Sequence, residues 1–242
     1  MVLQQIQDKS ERTMNENKEM LVRVATFRSP FSTKFGIPRQ AGIVGDLPGM
    51  IVLEKAYRSV DAIRGLEDFD YVWLLWGFSA NKHSAKGVTV RPPRLGGNRQ
   101  LGVFATRSPF RPNPIGLSSV RIDHIDYDCP DSPVIHVLGA DLMDGTPIYD
   151  IKPYIPYSDA HPDARGGFTD TTEWHPLDVL IPAEQEQILK KKGIDTGTLR
   201  DVLAQDPRPQ YHDDPERIYG MEYGGTDIHF RVEGNTLTVV GG

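Results

Sequence analysis

The residues best suited to chemistry lie in "GVFATRSPFRPNPIG", residues 102–116. Arg107 and Arg111 stand there among three prolines, with no acid in the stretch. Proline fixes its own φ and restricts the residue before it, so the two guanidiniums are held rather than free to roam. Arginine in a fixed geometry suits bidentate recognition of carboxylate or phosphate. From Lys86 to Arg121 there are seven basic residues and no acidic one, in a chain whose net charge is −6. Such a concentrated positive face is the footprint of an anionic ligand or a nucleic acid, unless acids from elsewhere in the fold pair with it.

Neighbouring stretches share this character. In "RPPRLGGNRQLG" (91–102), Gly96-Gly97 either presents amide N–H groups to an anion or is simply a turn. Arg94 and Arg99 beside it are candidate phosphate contacts. "LMDGTPIYDIKPYIPY" (142–157) opens on a tight turn, Asp144-Gly145-Thr146-Pro147, whose following aromatics either stack on a base or roof a packed corner. In "DPRPQY" (206–211), Asp206 is placed to orient Arg208, and Tyr211 offers a stacking face; the plainer reading is a loop that ends a helix. Asn113 has a side-chain oxygen able to accept a hydrogen bond from an amine, or to cap a turn.

Several function classes are disfavoured. There is no glycine-rich nucleotide loop between a strand and a helix and no Gly-x-Ser-x-Gly elbow. The seven histidines are scattered without ligand spacing, so no catalytic metal is expected. The single cysteine, Cys129, sits in the acidic segment "DYDCPDSP", where neighbouring carboxylates raise a thiol pKa and oppose a nucleophilic role. One cysteine and no recognisable signal sequence point to a reducing compartment, the cytoplasm. No run of about 18 apolar residues suggests a membrane span.

These residues need elements to position them. Alternation and apolar runs predict strands at 19–27, around Ile51–Leu53, and at 71–79, 87–90, 101–105, 117–125 and 133–139. The 71–79 run reads as buried on both faces. Ser59 caps a short helix that ends near Gly65. Helices are predicted in "AEQEQILKKK", after Pro182, and over 198–205. Two terminal strands flank Gly234-Asn235, a hairpin signal. The spacing favours a mainly β protein, a β-barrel or sandwich rather than a doubly wound sheet, with a small α+β C-terminal domain. The division expected is a flexible tail over 1–20, the barrel over 21–157, and a linker with the small domain over 158–242.

Three stretches, "FRSPFSTKFGIPRQAG" (27–42), "VRPPRLGGNRQLGVFATRSPFRPNPIGLSSV" (90–120) and "DLMDGTPIYDIKPYIPY" (141–157), together resemble the TsaA-like family. "VLAQDPRPQY" (202–211) resembles the C-terminal motif of its bacterial members, tRNA methyltransferases that act on threonylcarbamoyl-adenosine beside the anticodon. The resemblance implies a seven-stranded, non-Rossmann barrel, S-adenosylmethionine as methyl donor, a homodimer with the cofactor near the subunit contact, and a C-terminal domain that docks the anticodon stem-loop. Carried over residue by residue, it implies cofactor contacts at Gln40, Ala41, Gly42, Phe78, Ser79, Arg107, Leu117, Asp144, Gly145, Thr146 and Pro147. Ser79 stands where some relatives have histidine, and Ala41 where proline is common.

On this reading Arg107 meets the cofactor carboxylate and Arg111 the RNA or the threonyl carboxylate. Asn113 is the candidate group for handling the amine proton. Arg94, Arg99, Asp206, Arg208, Tyr211 and Tyr219 are candidates for tRNA contact. A non-catalytic RNA-binding barrel and a small-molecule methyltransferase are the competing readings; "DPRPQY" favours tRNA over a small molecule.

Overall fold

The computed structural model describes residues 19–81, 87–92, 99–171, 175–208 and 214–242. Six strands form the N-terminal part: β1 (Ala25–Arg28), β2 (Pro48–Leu53), β3 (Tyr71–Gly77), β6 (Ile115–Asp126), β7 (Val134–Leu138) and β8 (Pro147–Pro153). They pair in the order β1-β2-β7-β6-β3-β8, and β8 pairs back onto β1. The ring of antiparallel pairings therefore closes as a barrel, with six strands among the described residues where seven were expected. A short ribbon, β4 (Thr89–Val90) with β5 (Leu101–Gly102), stands apart from it.

Period-two alternation fills the interior. Val72, Leu74 and Trp76 of β3 point inward with Phe27, Ile51, Val120, Ile135 and Ile148. The 71–79 run reads as doubly buried because its outer face is roofed too. Trp73 is half-buried beside Tyr154, and its indole Nε1 donates to Asp159 Oδ2 at 2.8 Å. β8 escapes sequence detection because prolines bound it and its burial does not alternate. Those prolines sit at the strand ends, where a missing ladder donor is tolerated. Between β3 and β8 the register shifts after Leu75, leaving Tyr149 between two pairs. Gly116 lies opposite Trp76, and a Cβ there would come within 2.2 Å of the indole. Only glycine lets that ring lie flat on β6.

The C-terminal part is a four-stranded sheet in the order β10-β11-β12-β9, with β9 Asp178–Leu180, β10 Tyr219–Tyr223, β11 Thr226–Glu233 and β12 Thr236–Gly241. The hairpin at Gly234-Asn235 joins β11 to β12. Helix Ala183–Lys191 has Pro182 at its N-cap, and Gly193 beyond its end takes φ +78°. Helix Thr196–Ala204 is capped by Asp195, whose carboxylate accepts from Gly197 N and Thr198 N at 3.2 and 3.1 Å.

The two parts share a segment. Phe31, Val44 and Leu47 lie before β2 in the chain but are buried in the C-terminal core with Leu199, Met221 and Phe230. Phe31 meets Tyr223 edge-on at 5.4 Å, and Gly224 N donates to Pro30 O at 2.8 Å. Gly36 takes φ +89°, and a Cβ there would reach Met221 Sδ at 2.1 Å. Phe31→Ala is expected to destabilise the protein by roughly 3–5 kcal/mol, the range for deleting a fully buried aromatic ring. Urea unfolding monitored by tryptophan fluorescence measures this, and an unshifted midpoint would show that the segment does not depend on that core.

Candidate active site

Four stretches distant in sequence meet around one cavity of about 530 Å³. Lys34 to Gln40 form one side and the end of β3 with Phe78 to Asn81 another. Thr106 to Arg111 and the start of β6 make a third, and Asp141, Met143 and Thr146 complete the wall. Backbone bonds fix these stretches together. Gly42 N donates to Gly139 O at 2.8 Å, Asp144 N to Phe31 O at 2.8 Å, and Phe78 N to Pro114 O at 3.0 Å.

Both arginines of the opening stretch line the cavity, and each donates to a neutral oxygen. Arg107 Nη1 reaches Gln40 Oε1 at 2.5 Å, while Arg111 Nη1 reaches Thr106 O at 3.1 Å. The guanidiniums are thus oriented without having their charge cancelled by a bonded acid. Trp76 and Phe78, which also line the cavity, pack edge to face at 4.4 Å. The wall also carries Lys34 and Arg39, so its field is positive.

Among the described residues one acid belongs to this wall. Asp141 Oδ1 accepts from Ser118 Oγ at 2.5 Å, and Ser118 Oγ accepts from Trp76 Nε1 at 3.0 Å. An indole N–H only donates, so the direction of this chain is fixed and the serine proton points at Asp141. Burial pushes the Asp141 carboxyl above the ordinary carboxylate range; the Ser118 bond, backbone N–H groups and the Arg107 charge oppose that rise.

The cavity brings together Gln40, Phe78, Ser79, Arg107, Arg111, Leu117 and Thr146. Other expected contacts lie elsewhere. Ala41 packs against the barrel core, and Gly42 spends its N–H on Gly139. The Asp144 carboxylate accepts from Ser29 N at 3.1 Å and pairs with Arg28 at 3.4 Å, so it braces the shared segment. Gly145 and Pro147 belong to the same turn, which Thr146 Oγ1 closes on Met143 O at 2.7 Å. Asn113 is exposed in the loop before β6, outside the cavity wall. Among the described residues no group of three or more His, Cys, Asp or Glu is placed to hold a metal, and no helix is long and apolar enough to cross a membrane.

Asp206 takes φ +50° and grips Arg208 by two bonds, Nε to Oδ1 at 2.8 Å and Nη2 to Oδ2 at 3.0 Å. The expected orienting role of Asp206 therefore has a geometry. Tyr219, expected as a tRNA contact, is instead buried: it stacks on Phe230 at 5.6 Å, with the Arg217 guanidinium over its ring. Alternation in β10 turns it into the C-terminal core, so it presents no free face to a base. Arg99 is exposed beside β5. Arg94, Gly96, Gly97 and Tyr211 lie outside the described residues. Sequence reasoning missed Asp141 and Trp76 as parts of the wall, and Ser118 as the buried hydroxyl that links them. The available signal was an acid placed directly after the apolar run "VIHVLGA".

Comparison with known proteins agrees with this layout. The model of the tRNA-methyltransferase O N-terminal domain matches residues 26–160, and that of the TrmO C-terminal domain matches residues 175–241. The chain is 42% identical over 217 residues to a tRNA (adenine(37)-N6)-methyltransferase of Escherichia coli, covering 87% of this chain and 92% of that protein. It is 40% identical to the "Putative S-adenosylmethionine-dependent methyltransferase RcsF" of Pseudomonas aeruginosa, covering 86% and 90%. The crystal structure of TrmO from Pseudomonas aeruginosa superposes with a TM-score of 0.75 at 30% identity, covering 93% of this chain and 97% of that one. With both domain models matched in order, and relatives similar over nearly their whole length, the chain belongs to the tRNA-methyltransferase O family.

Proposed function

We propose that this chain transfers a methyl group from S-adenosylmethionine to the exocyclic N6 of adenosine 37 in tRNA, beside the anticodon. The observation that carries this reading is convergence: segments 34–40, 76–81, 106–117 and 141–146, far apart in sequence, build one cavity within the N-terminal family match. The relatives' names supply the reaction and the donor. The cavity's size falls in the range of small-molecule and cofactor sites, and its mix of aromatic surface and fixed charge suits an adenosyl group joined to an amino acid. When bound, S-adenosylmethionine supplies an electrophilic methyl on a sulfonium.

The residues of this chain do the positioning. Gln40 holds Arg107 toward the cavity for the cofactor carboxylate, Trp76 and Phe78 give the nucleoside an apolar wall, and Ser79 and Leu117 border its mouth. Arg111, tied to Thr106, faces the incoming base, and Arg99 meets phosphate outside. The Asp206–Arg208 fork, with Arg94 and Tyr211, serves the anticodon stem-loop. The preferred base is threonylcarbamoylated: its carboxylate answers Arg111 by a charge-assisted pair. A homodimer also fits, because Val88 before the ribbon, Phe104 and Phe110 after it, and Leu117 on β6 are exposed apolar groups, the last of them lining the cavity.

Labelled S-adenosylmethionine with total tRNA should place the methyl group in a threonylcarbamoyl-adenosine nucleoside, read by mass spectrometry; no methyl in tRNA would overturn the reading. Transcripts lacking the threonylcarbamoyl group should be poor acceptors, and equal methylation would remove the carboxylate role given to Arg111. Arg99→Ala should weaken tRNA binding and reduce the slope of log affinity against log salt by roughly one. An unchanged slope measured by filter binding would take Arg99 off the RNA path.

A further inference from the structure

Among the described residues lining the cavity, four are cationic and one is acidic: Lys34, Arg39, Arg107 and Arg111 against Asp141. The expected cofactor contacts leave that acid without a task. It is not inert for the fold. Burial raises its pKa, so the folded state favours its protonated form, and the charged form lowers stability at neutral pH. That penalty is relieved as the pH falls through the raised pKa. The carboxylate is nevertheless held firmly, by the Ser118 hydroxyl that Trp76 orients. Arg107, the cation on the same wall that acts on it through space, donates to Gln40 instead. The wall therefore presents an oriented anion and an oriented cation whose bonds go to neighbours other than each other.

A fixed pair of this kind is complementary to a zwitterion. We propose that Asp141 binds the α-ammonium of the cofactor's amino-acid end while Arg107 binds its α-carboxylate, so that the two side chains form one α-amino-acid receptor. The inference rests on S-adenosylmethionine being the cofactor. A ligand with two positive centres, ammonium and sulfonium, entering a wall with four cations needs an anion there, and Asp141 supplies it. Cation binding stabilises the carboxylate and reverses the cost of burying it.

Calorimetry on the full chain tests this with three ligands. S-adenosylmethionine has both positive centres, S-adenosylhomocysteine keeps the amino-acid end without the sulfonium, and 5′-methylthioadenosine lacks the amino-acid end altogether. Asp141→Asn should weaken the first two by roughly tenfold or more, the effect of losing a charge-assisted bond, and leave the third unchanged. Equal weakening of all three, no weakening, or weakening of S-adenosylmethionine alone overturns the proposal; the last outcome would put Asp141 on the sulfonium. A wild-type chain that binds none of the three sinks the cofactor reading instead. The Asn variant keeps the shape and an acceptor for Ser118, and it should melt higher than wild type at neutral pH, with the gap closing on acidification. The wild-type chain supplies a second measurement that needs no variant. Asp141 is the one acid among the described residues of the wall, and burial raises its pKa. Binding of S-adenosylhomocysteine should therefore release a proton at mildly acidic pH, read from calorimetry in buffers of different ionisation enthalpy, and 5′-methylthioadenosine should release none. Equal proton release by both ligands overturns the proposal.

Discussion

Everything at the site depends on where residues 29–47 are nailed down. Their apolar side chains Phe31, Val44 and Leu47 are buried with the C-terminal sheet, while their polar end, through Gln40, reaches Arg107 across the barrel cavity. A fully buried ring such as Phe31 is worth several kcal/mol to the core that holds it. The 2.5 Å bond from Arg107 to Gln40 is exposed and contributes far less by itself. The hydrophobic anchor thus decides the position of the segment, and the polar contact reads that position out. Glycine is required at position 36 for the same reason, since the sulfur of Met221 fills the place of a side chain.

Electrostatics follows from this placement. A chain of net charge −6 keeps positive charge at this cavity because the fold satisfies Arg107 and Arg111 with neutral acceptors, Gln40 Oε1 and the Thr106 carbonyl. An acid bonded to Arg107 would have fixed its direction equally well but cancelled its field. Elsewhere the same fold does use acids to hold arginines. Asp131 takes Arg58 at 2.5 Å and Asp206 takes Arg208, where orientation matters and an open positive charge does not.

How much of this was legible in the sequence depends on the range of the cause. Local causes were readable: the Ser59 cap that accepts from Asp61 N, the helix after Pro182, the Gly234-Asn235 hairpin, and the proline-fixed arginines. The six-strand closure was not, because β8 lacks alternation and is recognisable only by its partners β1 and β3. Tyr219 was misread because an aromatic near a basic motif looks like a stacking platform; only the register of β10 against β11, pairing it with Phe230, shows that it faces inward. Asp141 was passed over for the acid three residues later. Asp144 is the one in the visible turn, but its carboxylate is spent on Ser29 and Arg28.

The sequence also suggested a clean division, with the barrel for the cofactor and the C-terminal unit for tRNA. The packing does not allow the two to be independent. Asp144 N bonds to Phe31 O on the barrel side, and Gly224 N bonds to Pro30 O on the other, so neighbouring residues of one segment answer to both units. Moving β10 relative to the barrel would have to break the Phe31–Tyr223 contact or drag residues 30–36 with it. In the second case Lys34, Ile37 and Gln40 move too, and the cavity wall changes shape. A packed interior transmits such a displacement rather than absorbing it, because it has few voids to give. The geometry around Arg107 is therefore a property of both cores at once, because the C-terminal core anchors the segment that carries Gln40.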